Sequence, residues 1–252
     1  MSENKKQTIL LLHGLRGNRD GLKKISEELS DDFEVVSPNL PGTGDNPELE
    51  KQDLEGHVEW LRKYVESLGV KPVMVGHSMG AIIGSYYVEK YPETVDERVI
   101  LMSPILRKAN AKMMSRASYA ILNGVLRSLK KERQKKVLAS RQVSWMISSY
   151  LTGDKAKRRE NVLAHYENGV QFSSGQSLRG DLKVAMLHEV KVPRDRQALV
   201  VFGKKDKLSN AKLVREWAKQ AGVAYCELDK AGHLINYERP EEAAKQIKRF
   251  LR

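Results

Sequence analysis

The sequence predicts an α/β fold: a mostly parallel six-stranded sheet flanked by helices, with a helical cap inserted into it. Short apolar runs alternate with amphipathic helical patterns, which is typical of a parallel sheet covered on both faces by crossover helices. Residues 106–195 interrupt this alternation with helical patterns and no convincing strand. We therefore expect one core over residues 1–105 and 196–252, with a helical insertion over 106–195.

Each predicted strand is a short, mostly apolar run, and TILLL at residues 8–12 is apolar throughout. A wholly apolar run of this length indicates a strand that is buried on both faces. The predicted strands span 8–12, 33–37, 72–75, 98–102, 198–203 and 223–228.

The helices follow from apolar spacing and from start signals. Pro240 followed by two glutamates predicts a helix start, because proline has helical φ and acids complement the helix dipole. The predicted core helices span 20–29 with Asp20 as cap, 54–68, 79–90, 209–221 and a stretch from Pro240. Two apolar faces are expected in the insertion, one of Tyr119, Leu122, Val125 and Leu129 and one of Val143, Met146, Ile147 and Tyr150.

The positive charge of the chain is concentrated in the insertion. The net charge is +12, and residues 106–196 hold 20 of the 44 Lys and Arg residues but 7 of the 32 Asp and Glu residues. The basic runs at 130–136 and 155–159 contain no interleaved aromatic residues, and no nucleic-acid-binding motif is present. Nucleic acid is therefore not an expected partner. A solvated helix face is the simplest interpretation, with attraction of anionic substrates or a membrane surface as alternatives.

Several features indicate a cytoplasmic protein without a membrane span. The polar start MSENKKQ does not resemble a signal peptide, and no apolar run approaches the roughly 20 residues that cross a bilayer. A single cysteine excludes an internal disulfide, which suits a reducing compartment. Oligomeric state is not predicted by these patterns.

A serine between two glycines carries the strongest functional signal. The stretch VMVGHSMGA places Ser78 at the centre of G-x-S-x-G, between a predicted strand and a predicted helix. A sharp strand-to-helix turn strains the serine backbone and exposes its hydroxyl above the sheet edge. Because a serine hydroxyl is a poor nucleophile, it needs a base and an acid that orients the base. Asp206, after strand 198–203, and His233, after strand 223–228, lie at the same predicted edge.

The loop after the first strand supplies the remaining part of such a site. HGLRGN follows TILLL, and the backbone N–H groups of Leu15 and Met79 are predicted to bind the oxyanion of a tetrahedral intermediate. Together, HGLRG, NLPGTG, GHSMG, GKKD and AGH-x4-ERP resemble the α/β-hydrolase family over the whole chain apart from the insertion. The resemblance implies that Ser78, Asp206 and His233 form a catalytic triad and that residues 106–195 are a cap. In the family the second-strand loop usually reads D-x-P-G-x-G-x-S, whereas this chain has Asn39 and Asp45 there.

Other residues are candidates for substrate contact. Arg16 directly follows Leu15 and could pair with a substrate carboxylate, although a solvent-facing loop arginine is the simpler interpretation. In the cap, Trp145, Met113, Met114 and Met146 are candidate apolar lining residues, and ordinary packing within the cap fits each of them as well. His165 could also line a pocket, whereas His13 and His77 are expected to have structural roles. No cluster has metal-ligand spacing, so neither a metal nor a cofactor is predicted.

The sequence thus predicts a serine hydrolase that cleaves an ester-like acyl bond of a small-molecule substrate. A thioesterase, a lactonase or a carbon–carbon bond hydrolase would use the same triad. An inactive hydrolase fold acting as a ligand receptor or scaffold is the alternative outside enzymes.

Overall fold

The computed structural model describes residues 6–106, 116–138, 140–169, 171, 174–192 and 196–252. Six parallel strands form one sheet in the order β2-β1-β3-β4-β5-β6. The strands are β1 Thr8–Leu12, β2 Glu34–Val36, β3 Val73–His77, β4 Arg98–Met102, β5 Gln197–Gly203 and β6 Ala224–Leu228. All six predicted strands are therefore confirmed, and the first strand lies one position from the sheet edge.

Helices cover both faces of the sheet, as the α/β prediction requires. The helices outside the middle segment are α1 Lys23–Ser30, α2 Leu54–Leu68, α3 Met79–Lys90, α9 Ala211–Gln220, α10 Ile235–Glu238 and α11 Pro240–Leu251. Alternate residues of β1 belong to different core clusters: Leu10 and Leu12 pack with α2 and α3, and Ile9 and Leu11 pack with α1 and α11. This alternation explains why the strand is apolar throughout.

Between β4 and β5, every regular element of the described chain is a helix. This helical block comprises α4 Arg116–Ser128, α5 Lys131–Leu138, α6 Arg141–Leu151, α7 Arg158–Gly169 and α8 Gly175–Leu187. Helix α8 packs on α3 of the core, and α4 packs on α8. The residues at the predicted C-terminal boundary, 193–195, lie outside the described residues.

Helix α6 has an unusual burial pattern that the apolar spacing did not predict. Its buried residues are Ser144 and Ser148, whereas Trp145, Met146 and Tyr150 are exposed. In α4, Leu126 is buried, while Leu122 and Val125 of the predicted face are exposed. The apolar side chains of these two helices therefore do not all pack into a core.

Two local predictions are corrected. Asp20 does not cap the first helix; instead, the side chain of Asn18 accepts a hydrogen bond from the Gly21 N–H at the start of a 3-10 turn, which leads into α1. The short helix α10 was not predicted, because four residues are too few to show helical periodicity. No helix within the described residues is long and apolar enough to cross a bilayer.

Candidate active site

Ser78 occupies the turn between β3 and α3. Its backbone has φ 55° and ψ −114°, a left-handed conformation that is strained for a residue with a side chain. The Ser78 N–H donates to the carbonyl of Met102 on β4 at 2.9 Å, which fixes the turn to the sheet. A Cβ at Gly80 would lie 2.5 Å from the carbonyl oxygens of both Leu12 and His13. Glycine is required there because α3 starts in contact with the backbone of β1.

Ser78, His233 and Asp206 form one hydrogen-bonded chain. The Ser78 hydroxyl lies 2.8 Å from His233 Nε2, and His233 Nδ1 lies 2.8 Å from Asp206 Oδ2. Because Asp206 accepts the proton of Nδ1, Nε2 of the neutral imidazole is left as the acceptor for the serine hydroxyl. All three side chains are buried. The three residues that the sequence placed at the sheet edge thus lie in contact.

Asp206 is held in its ionised form by its surroundings. Burial alone would raise its pKa, but the charge of His233 and hydrogen bonds from His233 and Ser209 lower the pKa below its ordinary value. The Ser209 N–H donates to Asp206 Oδ1 at 2.9 Å, so the two carboxylate oxygens have separate donors. An ionised, doubly bonded aspartate can fix the orientation of the imidazole.

The backbone of His233 is bonded on both sides. Its N–H donates to the carbonyl of Leu151, at the end of α6, at 2.8 Å. Its carbonyl accepts from His77 Nε2 at 3.0 Å and from the Ser103 hydroxyl at 2.9 Å. Burial lowers the pKa of His77 to about 3, so this ring is neutral and donates one proton. His77 therefore has the structural role that was expected.

His13 joins the loop after β1 to the loop after β2. Its Nε2 accepts from the Leu40 N–H at 2.9 Å, which leaves the proton on Nδ1, 3.0 Å from the Gly14 carbonyl. Burial lowers the pKa of His13 to about 4. The imidazole thus braces the loop that presents Leu15 beside Ser78, as the sequence suggested.

The two predicted oxyanion donors belong to the loop after β1 and to the start of α3. Leu15 lines the same cavity as Ser78. Met79 is the first residue of α3, so its N–H has no acceptor one turn earlier within the helix. Both positions are compatible with a pair of N–H donors directed at a bound carbonyl oxygen.

A largely apolar cavity of about 510 Å³ lies above Ser78 and His233. Leu122, Met146 and Tyr150 line it and are also exposed to solvent, so they lie at its mouth. The other apolar lining residues are Leu15, Ile105, Ile147, Leu151, Leu182, Ala185, Met186, Leu208 and Leu234. A volume of this size suits a small organic ligand.

Trp145 does not line this cavity. Its side chain is 58% exposed, because α6 turns Ser144 and Ser148 inward and Met146 toward the mouth. Met113 and Met114 lie outside the described residues.

Arg16 is buried in the wall of the cavity and does not face solvent. Its residue exposure is 4%, its φ is 58°, and its Nη2 donates to the hydroxyl of Ser144 on α6 at 2.9 Å. Burial lowers the pKa of Arg16 to about 10, so the guanidinium remains charged at neutral pH. His165 on α7 also lines the cavity, and burial lowers its pKa to about 3.

Two other acids of the chain have partners of their own. Asp181 on α8 contacts His57 of α2, with 2.9 Å between Oδ1 and Nε2, and Asp229 forms an exposed ion pair with Lys204. Within the described residues, no three His, Cys, Asp or Glu side chains are grouped as metal ligands.

Glu238 is a buried residue that the sequence did not single out. Its carboxylate accepts from the N–H groups of Gly153, Asp154 and Gly232 at 2.9, 2.7 and 3.0 Å. Gly153 and Gly232 lie in direct backbone contact, since a Cβ on either would overlap the other loop. The His233 loop and the end of α6 are therefore tightly joined. In the sequence, the one signal for this contact is the position of Glu238 in the motif AGH-x4-ERP.

Comparison with known proteins places the chain in a family. A model of the alpha/beta hydrolase fold family matches residues 7–240, and the chain belongs to this family. It is 21% identical to Lipase 1 of Psychrobacter immobilis, over 97% of this chain and 76% of that protein.

Two solved structures illustrate the range of similar folds. A thermophilic esterase from Thermogutta terrifontis has a TM-score of 0.73 and 20% identity, covering 98% of this chain and 90% of that one. A 2-hydroxy-6-oxo-6-phenylhexa-2,4-dienoate hydrolase from Rhodococcus has a TM-score of 0.71 and 20% identity, with the same coverage of both chains. The likeness shows the fold, and the family together with its lipase relative supports a hydrolase.

Proposed function

We propose that the protein is a serine hydrolase that cleaves an ester-like acyl bond. The single observation that carries this proposal is the hydrogen-bonded chain from the Ser78 hydroxyl through His233 to Asp206, at the floor of an apolar cavity. The lipase and esterase relatives support the same assignment.

The reaction follows from this arrangement. The Ser78 oxygen attacks the acyl carbon while His233 Nε2 takes the hydroxyl proton. Asp206 stabilises the imidazolium, and the N–H groups of Leu15 and Met79 bind the oxyanion. His233 then gives the proton to the departing oxygen, and a water molecule releases the acyl group from Ser78 by the reverse steps.

The helical block acts in this proposal as a cap that holds the acyl group. Its residues supply the mouth and much of the wall of the cavity, including Leu122, Met146 and Leu182. Apolar side chains favour an acyl chain, because burial contributes about 0.8 kcal/mol per CH₂ group. A series of nitrophenyl esters should therefore show kcat/KM rising with chain length until the cavity is full.

Labelling by a fluorophosphonate probe tests the nucleophile. The wild-type protein should be labelled, Ser78→Ala should not, and Ser85→Ala should behave as wild type because Ser85 lies within α3. Equal labelling of wild type and Ser78→Ala would refute the mechanism. Hydrolysis of no ester, thioester or lactone above the buffer rate would favour the receptor or scaffold alternative.

Buried Arg16 favours a second candidate, hydrolysis of a carbon–carbon bond in a substrate that bears a carboxylate. A guanidinium in an apolar wall could hold such a carboxylate. The two candidates differ in the effect of Arg16→Met. This change should abolish turnover of carboxylated diketones but affect neutral esters little.

A further inference from the structure

A second cavity, of about 610 Å³, lies behind the catalytic acid. We call it the basic groove, and its charged lining residues are Lys155, Arg158, Lys204, Lys205, Lys207, Lys212 and Asp206. Asp206 is the only carboxylate lining it within the described chain, and that carboxylate is already bonded to His233 and Ser209. Six basic side chains thus line the basic groove, and the one carboxylate there already has hydrogen-bond partners.

Other features of the basic groove also favour an anion. The first residues of α7 and α9, Arg158 and Ala211, both line it, so two positive helix ends lie beside it. The Nε of Arg158 is buried and has no hydrogen-bond partner among the described residues. A buried donor without an acceptor is costly, and a bound anion would satisfy it once the half-buried Arg158 side chain turns toward the groove.

The acids around the basic groove do not neutralise it. Among the described residues, Lys155, Arg158 and Lys205 form no ion pair. The ion pairs of Lys204 with Asp229 and of Lys212 with Glu216 are exposed, at 2.7 and 4.0 Å, and such pairs are weak enough for a ligand to displace. Nearby Asp154 is held by Arg239 at 2.9 Å.

The basic groove and the catalytic cavity share a thin wall. Tyr150 and Leu151 line the cavity, and the next two residues line the groove. Likewise Leu208 lines the cavity and Lys207 lines the groove. The Tyr150 hydroxyl lies 3.5 Å from the Lys207 carbonyl across this wall. Tyr150 lies exposed at the mouth of the cavity, so a ligand that passes over the outer rim of this wall would place one end at Ser78 and the other among the cations.

We propose that the basic groove binds a chain of at least two phosphate groups, and that these belong to the leaving group of the substrate. The substrate class is an acyl thioester whose departing thiol carries phosphates. This inference rests on the proposed function for its second half, whereas phosphate binding stands independently. Multiple lysines and an arginine at a helix start are the groups that recognise phosphate.

The reaction needs no reagent besides water. The Ser78 oxygen forms a bond to the acyl carbon, and the carbon–sulfur bond breaks with its electron pair on sulfur. His233 passes the serine proton to the thiolate, so a phosphate-bearing thiol leaves. Water then cleaves the acyl-serine ester, which gives a carboxylic acid and restores Ser78.

Titration calorimetry with inorganic pyrophosphate tests the groove without catalysis. The protein carries Ser78→Ala throughout. The double variant Lys155→Ala/Arg158→Gln should raise the Kd at least tenfold, equivalent to about 1.4 kcal/mol. Lys63→Ala/Lys245→Ala removes the same charge from two exposed sites outside the groove and should leave the Kd unchanged. Equal losses in both double variants, or no binding at about millimolar pyrophosphate, would overturn the proposal.

Matched thioesters test the leaving-group half. Octanoyl-coenzyme A and octanoyl-N-acetylcysteamine share the acyl group, but only the first carries phosphates. We expect kcat/KM to favour the coenzyme A thioester at least tenfold, and Lys155→Ala/Arg158→Gln to remove only this preference. Two results would overturn the leaving-group assignment and leave ester hydrolysis standing. One is an equal kcat/KM for the two thioesters, and the other is hydrolysis of a nitrophenyl ester but of neither thioester. Failure of fluorophosphonate labelling would instead remove the proposed function, and the calorimetry would still decide on the groove.

Discussion

Replacing Gly80 by alanine adds one methyl group where α3 starts against β1. The new Cβ would lie 2.5 Å from the carbonyl oxygens of Leu12 and His13 and 2.8 Å from the Leu12 carbonyl carbon. These are backbone atoms of β1 and of the loop that follows it, so they cannot rotate away as a side chain could. The start of α3 must therefore shift, and Ser78 with it.

The magnitude follows from two opposing effects. Alanine in a helix is favoured over glycine by about 1 kcal/mol. Overpacking typically costs about 1–3 kcal/mol, and a clash with backbone atoms that cannot rotate away falls at the upper end of this range. The free energy of unfolding of Gly80→Ala should therefore fall by about 2 kcal/mol. A shift of about 1 Å in the nucleophile should also slow fluorophosphonate labelling about 100-fold.

Gly124→Ala is the matched control. Gly124 is an exposed residue of α4, and among the described residues no atom outside its own helix lies within 4 Å of the point where an alanine methyl group would stand, so only the helix propensity changes. This variant should gain about 1 kcal/mol. Urea unfolding at a common m-value measures both changes. If Gly80→Ala were as stable and as reactive as Gly124→Ala, the account of the turn would be wrong.

Three further outcomes are expected. Asp206→Asn should lower kcat about 10⁴-fold, because an amide cannot stabilise the imidazolium, and unchanged kcat would exclude Asp206 as the orienting acid. Burial lowers the pKa values of His13, His77 and His165 to about 4, 3 and 3, whereas the unfolded chain protonates near pH 6.5. Below pH 6.5 the unfolded state therefore binds more protons than the folded state, so the free energy of unfolding is highest above that pH. It should fall by about 2 kcal/mol per histidine between pH 7 and pH 5. A free energy of unfolding in urea that stays constant over this range would refute the assignment of these three buried, neutral histidines. Glu238→Gln puts an NH₂ group against backbone N–H donors, so it should lower the free energy of unfolding by about 1–3 kcal/mol and slow fluorophosphonate labelling of Ser78. Wild-type stability and labelling would show that the contact between Glu238 and these backbone groups is dispensable.

The core of the fold was predictable because its signals are local. Every strand contains a short apolar stretch, and most of the longer helices beside the sheet have apolar residues at helical spacing. The contact between Ser78, His233 and Asp206 was predictable for a related reason: each residue follows a strand, and parallel strands end at one edge. Sequence order and strand direction then suffice to bring them together.

The parts that were missed depend on contacts between distant segments. Arg16 is buried because Ser144, 128 residues away, turns toward it. A tryptophan in the insertion is an obvious candidate for lining a pocket because it is large and apolar. In the structure Trp145 is exposed, because Ser144 and Ser148 occupy the inward face of α6. The basic groove joins residues 152–158 to residues 204–212, and nothing in either segment indicates the other.

The joint between residues 151–153 and the His233 loop limits how the protein can be re-engineered. Backbone touches backbone at Gly153 and Gly232, and the Leu151 carbonyl accepts the N–H of His233. A chimera that exchanges the helical block for that of another hydrolase would have to keep the contacts of residues 151–153 with the His233 loop. Without these contacts the imidazole of His233 would no longer be aligned with the hydroxyl of Ser78. New specificity is therefore better sought by grafting at α4 and the outer turns of α6.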